Sequence, residues 1–148
     1  MSADDLPKLA LAFPGPERDS GVEAIISGRK TAMTALVEIL ERMGQPLPEA
    51  GQRYAVLDSD DRTAVVIELT EARVIPFGEV DDRFALDEGR GYANAREWAA
   101  AHRDFFRGAQ VTELLGHTPV VDDDALIVAE RFRVVDAADR NVSGRSRP

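Results

Sequence analysis

Residues 54–70 read YAVLDSDDRTAVVIELT, and this stretch decides the class of fold. Tyr54, Val56 and Leu57 have the aromatic and β-branched character of a short strand. Asp58 to Asp61 form a polar turn, and an apolar run resumes at Ala64-Val65-Val66-Ile67. The reading is a β-hairpin with strands at 53–58 and 63–76, the second running on toward Phe77. One residue interrupts it: Glu68 places a charge between Ile67 and Leu69. A further strand is expected at 125–135, with Leu126, Val128, Phe132 and Val134 alternating as inward candidates.

Helical patterns flank the hairpin. Val22, Ile25 and Ile26 have helical spacing, with Asp19 or Ser20 as cap and Gly28 as stop. A second helical stripe runs through Leu36, Val37, Ile39, Leu40 and Met43 to the breakers Gly44, Pro46 and Pro48. Gly28-Arg29-Lys30-Thr31 therefore falls in a loop between two helices, a position that often carries chemistry. Residues 77–87 read as an acidic loop with one helical turn, Val80 and Phe84 sharing a face. Asn94 to Phe106 is an amphipathic helix carrying Trp98, Ala101, Phe105 and Phe106, with Gly108 as its end. Strands so far apart in sequence must pair non-locally, and a small mixed α+β barrel is expected. Residues 1–18 are read as an extended lead-in, 19–136 as the folded domain and 137–148 as a disordered tail.

Composition narrows the function. At 148 residues and 44% hydrophobic, the chain can bury one ordinary core. Its 18 Lys and Arg against 27 Asp and Glu, a formal charge of -9, exclude a long nucleic-acid duplex as partner. A small or short ligand in a local pocket is compatible with that charge. Cysteine is absent, and His102 and His117 alone make no zinc site, so neither metal nor cofactor is expected. Asp122-Asp123-Asp124 reads as a solvated loop. No apolar run approaches the roughly 20 residues of a membrane helix, and acids stand in MSADDLPK where a secretory signal has bases, so a cytoplasmic protein is expected.

Several short motifs occur in one order: Ser27-Gly28-Arg29-Lys30-Thr31-Ala32, Pro46-Leu47-Pro48, Val66-Ile67-Glu68-Leu69-Thr70 and Val74-Ile75-Pro76-Phe77. Trp98, His102, Phe105 and Phe106 follow, and then Glu130-Arg131-Phe132-Arg133-Val134-Val135. Over residues 13–135 the chain resembles the ASCH domain family, in its longer branch with GRKTA and ERF motifs. The resemblance implies a PUA-like β-barrel with helices packed around its rim and a cleft beside the Gly-x-Lys loop. It also implies a role near nucleosides or RNA. One short member type is an amidohydrolase that deacetylates N(4)-acetylcytidine, with a loop Lys, a Thr three residues later and a strand Glu as its proposed catalytic set. The Lys falls on Lys30 and the Glu on Glu68, but the Thr position is Met33, which has no hydroxyl. Thr31 and Thr34 flank it, and Thr34 is a candidate replacement.

Lysine with an ordinary pKa near 10.4 is a poor base at neutral pH. Lys30 is therefore either a base shifted by burial and Arg29, or a cationic clamp beside Glu68, which would then activate water. His102 either carries protons in the cleft or bonds the scaffold. Trp98 and Tyr92 either stack a base or fill the core. Arg131, with Arg133, is placed to meet phosphate or an acidic partner. Three readings stay open: an amidohydrolase using Lys30, Glu68 and Thr31 or Thr34; a binding module that holds a modified base or short RNA through Arg29, Lys30 and Arg131, which Met33 favours; and a weak ribonuclease.

Overall fold

The computed structural model describes residues 3–136. The hairpin forms as read: β3 (Arg53–Leu57) pairs antiparallel with β4 (Thr63–Pro76), Ala55 standing opposite Val66. The Asp58 carboxylate closes the turn, accepting from the N–H groups of Asp60 and Arg62 at 2.9 and 3.0 Å. On its other edge β4 pairs antiparallel with the last strand, β5 (Leu126–Asp136). The short β1 (Lys8–Ala10) joins β3 in parallel, so part of the expected lead-in is an edge strand.

The third antiparallel partner differs from expectation. Residues 32–36, read as the start of a helix, are β2 (Ala32–Leu36), paired with β5 from Arg131 to Ile127. Only Val37–Arg42 is helical, as α2. The apolar residues at 37, 39 and 40 lie in α2, and the free edge of β5 decides residues 32–36 in favour of a strand. The Gly-Arg-Lys-Thr loop therefore links a helix to a strand. That helix, α1 (Pro16–Ser27), starts at Pro16 instead of Ser20, because proline's fixed φ and missing N–H suit a first helical position. Gly28 ends it as expected, at φ +88°.

The strand order is β1-β3-β4-β5-β2, a five-stranded mixed sheet that is open. Among the described residues the sheet does not close into the expected barrel: β1 offers three residues, all paired with β3, and β2 passes straight into α2. Both faces of the sheet are covered. Ala32, Leu36, Ile127 and Ala129 pack against Phe84 of α3 (Asp82–Asp87) and Trp98 and Phe106 of α4 (Ala95–Phe106). Met33, Val56, Ile67 and Phe132 pack against Val22 and Ile25 of α1. Covering both faces erases the expected alternation in β5: Ile127 to Glu130 are all buried, while Leu126 and Val134 are exposed. Asn94 caps α4 by accepting from the Glu97 N–H. A further helix, α5 (Ala109–Leu115), lies between Gly108 and Gly116, where the sequence reading had placed none. The expected tail at 137–148 lies outside the described residues.

Candidate functional site

The Gly28–Thr31 loop is pinned from two sides. The Lys30 N–H donates to the Ala24 carbonyl of α1 at 3.0 Å, and the Thr31 N–H donates to Asp87 O at the end of α3 at 2.8 Å. Gly89 makes the second approach possible. It has φ +68°, and a Cβ there would sit 2.4 Å from Arg29 O and 2.7 Å from the Lys30 Cα. The residue before it, Glu88, thereby meets Lys30.

Lys30 and Glu88 form a buried ion pair, Nζ to Oε1 3.2 Å, with side chains 6% and 4% exposed. Nζ also donates to Ala32 O at 2.8 Å and to Glu88 O at 3.4 Å, so all three N–H bonds of an ammonium find acceptors. The other carboxylate oxygen, Glu88 Oε2, accepts from Thr34 Oγ1 at 2.6 Å and from Trp98 Nε1 at 3.0 Å. The His102 ring stacks on Trp98 with centroids 4.3 Å apart. Its Nε2 lies 3.7 Å from Glu88 Oε1, and the edge of half-buried Tyr92 closes the other side at 5.7 Å. Ala32 and Thr34 share a face of β2, alternation turns Met33 to the other, and Asn94 caps the helix that carries Trp98 and His102 one turn apart.

The electrostatics follow from this packing. Burial alone would raise the Glu88 pKa, but Lys30, His102 once acid has charged its ring, and the hydrogen bonds from Thr34 and Trp98 outweigh it and hold the carboxyl below its usual range. Burial pushes His102 down, against the pull of Glu88. Tyr92 is raised by burial and then by Glu88. Glu130, on β5 opposite Met33, is pushed up to about 8 by burial and by the charge of Glu88.

The structure brings together Lys30, Thr34, Trp98 and His102 from the sequence-based candidates, and separates the others. Glu68 is paired with Arg53 at 3.0 Å and Arg133 at 3.1 Å, on the strand flank, and does not meet Lys30. Alternation turns its side chain away from the core that Ile67 and Leu69 enter. Met33 is buried in the core against α1, on the face of β2 away from Glu88, so a hydroxyl at 33 would not reach this carboxylate. Thr31 is exposed and joined to its neighbours through its backbone, and Arg29 is exposed and bonds Ser27. Arg131 pairs with Asp87 at 2.7 Å over the Phe84 ring. Trp98 is fully buried, which leaves no ring face for a ligand. Glu88 itself was missed by sequence reasoning; its signal was an acid set against Gly89 and Gly91, just before the Trp98 helix.

A shallow cleft of about 380 Å³ borders the loop on the α1 side, lined by Ile26, Gly28, Lys30 and Phe132 but not by Glu88, Thr34 or His102. The hydrogen-bonded cluster shares Lys30 with this cleft, and its other members lie outside the cleft lining. Among the described residues no three His, Cys, Asp or Glu side chains gather as a metal site, and no helix is long and apolar enough to cross a membrane.

Known proteins supply the wider context. The chain is similar to the ASCH domain crystal structure from Lactobacillus crispatus, with 26% identity and a TM-score of 0.75 over 88% of this chain and 79% of that one. It is similar also to a DUF984 protein from Enterococcus faecalis, with 26% identity and a TM-score of 0.78 over 96% of this chain and 83% of that one. No functionally curated protein matches it in sequence. These neighbours fit a PUA-like fold, and the ASCH domain model matches residues 10–136. The chain belongs to the ASCH domain family.

Proposed function

We propose that the cluster around Glu88 is the active site of an amidohydrolase acting on a small acylated nucleoside such as N(4)-acetylcytidine. The observation that carries this is the contact of one hydroxyl, one carboxylate and one ammonium: Thr34 Oγ1 to Glu88 Oε2 at 2.6 Å and Lys30 Nζ to Glu88 Oε1 at 3.2 Å. The residue types match the set that the sequence resemblance implies, with Thr34 in place of the residue at 33 and Glu88 in place of Glu68. In this reading Thr34 Oγ1 attacks the acyl carbon and its proton passes to Glu88. Glu88 returns that proton to the leaving amine, and water then releases the acyl group from Thr34. Lys30, with every N–H engaged, is a clamp that orients Glu88 and keeps it anionic, and does not act as a base. The acidic chain suits a small uncharged substrate in a cytoplasmic setting and disfavours a long duplex.

A second reading has its own support. A carboxylate held below its usual pKa by Lys30, Thr34 and Trp98 is a weak base and a good acceptor, which favours a non-catalytic pocket for a modified base or short RNA. Incubation with N(4)-acetylcytidine, followed by chromatography, decides between them. Turnover by the parent protein is expected, with a loss of at least about a hundredfold in Thr34→Val, Lys30→Ala and Glu88→Gln. Glu68→Ala is expected to stay within about twofold. No turnover by folded parent protein, or full turnover in Thr34→Val, overturns the hydrolase reading.

A further inference from the structure

His102 takes no part in the steps above, yet its ring nitrogens are tightly constrained. Nδ1 lies 3.0 Å from the Trp98 carbonyl oxygen, which can only accept, so Nδ1 carries the ring hydrogen. In a neutral ring Nε2 is then a lone pair. Glu88 Oε1, a second acceptor, lies 3.7 Å from this nitrogen. Two acceptors at this spacing repel unless a donor stands between them, and an N–H placed about 2.9 Å from both closes the triangle. Burial keeps the ring on the neutral side, even with Glu88 alongside. The stack on Trp98, at an interplanar angle of 21°, fixes the direction of the lone pair. The His102 side chain retains 15% exposure.

We infer that His102 Nε2 and Glu88 Oε1 together read an N–H donor on the ligand, an exocyclic amide or amino nitrogen. The inference rests on the nucleoside reading of the site and names the group that the site selects. A carbonyl or ether oxygen at this point meets two acceptors and is rejected, and an N-alkylated nitrogen has no hydrogen to offer. His102 is a specificity-determining residue in this scheme.

Two measurements test it on the full chain. The first is the imidazole nitrogen NMR spectrum at neutral pH, in which His102 is expected as the Nδ1–H form with Nε2 bare. An Nε2–H form or an imidazolium overturns the inference, because Glu88 then already has its donor. The second compares N(4)-acetylcytidine with N(4)-acetyl-N(4)-methylcytidine, by kcat/KM or, without turnover, by Kd. The methylated compound is expected to be at least about tenfold poorer. His102→Phe, which preserves an aromatic ring beside Trp98, is expected to bring the two within about twofold. Equal handling by the parent protein, or discrimination that survives His102→Phe, overturns the inference. If neither nucleoside binds, the nucleoside reading falls, and the nitrogen spectrum alone decides whether the acceptor pair stands.

Discussion

Glu88 is a buried carboxylate whose charge is sustained by two hydrogen bonds on Oε2 and an ammonium on Oε1. Each donor to such a group is worth roughly 1.5–3 kcal/mol. Thr34→Val preserves shape and removes one donor, so a loss of about 1–3 kcal/mol at pH 7 is expected in urea unfolding. The pH dependence has a definite sign. The folded pKa of Glu88 lies below its unfolded value, so its contribution is present above the unfolded value near 4.5 and is lost as pH falls through the folded one. Thr34→Val removes one of the influences that lower it, and its acid unfolding is therefore expected at higher pH than in the parent. Identical acid midpoints would show that the Thr34 bond does not hold the charge.

At the scale of elements, the site depends on how closely the end of α3 approaches the loop before β2. The contact is backbone against backbone, and Gly89 is its narrowest point. Gly89→Ala introduces a Cβ 2.4 Å from Arg29 O at a φ of +68°, two independent penalties that nearby side chains cannot relieve. We expect a loss of about 2–4 kcal/mol in urea unfolding. A crystal structure of the variant is expected to show Glu88 displaced from Lys30. Gly28→Ala, also at positive φ but with open space around its Cβ, is expected to cost less, about 1 kcal/mol. Equal losses in the two variants would mean that the close approach is not what holds the loop.

For the whole molecule, a second buried carboxyl stands across β5 from the first. Glu130 is 4% exposed, shares its side of the sheet with Met33, and is influenced by Glu88 and Lys30, with Tyr54 the further titratable group beside it. Its folded pKa of about 8 exceeds the ordinary 4.5, so the folded state holds a proton that the unfolded chain releases between those values. The stabilising contribution is therefore full below pH 4.5 and is lost as pH rises through about 8. Glu130→Gln supplies a permanently neutral group of the same shape. It is expected to match the parent within about 1 kcal/mol at pH 5 and to exceed it by roughly 2–4 kcal/mol at pH 8. A difference between the two proteins that does not change with pH would refute this.

The hairpin at 53–76, the stop at Gly28 and the Asn94-capped helix were all legible in the sequence, because each depends on neighbours a few residues away. A turn, a cap and a period of two or 3.6 are local properties of a chain. The tertiary structure decided the rest. Residues 32–36 became a strand because β5 had an edge to pair, not because of their own pattern. Thr34 rather than Met33 faces the site because that pairing set which side of β2 turns toward α4. Lys30 found Glu88, 58 residues away, rather than Glu68, because a glycine allowed two backbones to touch. An isolated acid in an apolar strand and an acid beside a glycine look equally suggestive along the chain. Which of them meets the lysine depends on the path of the chain in space, and composition and spacing do not encode that path residue by residue.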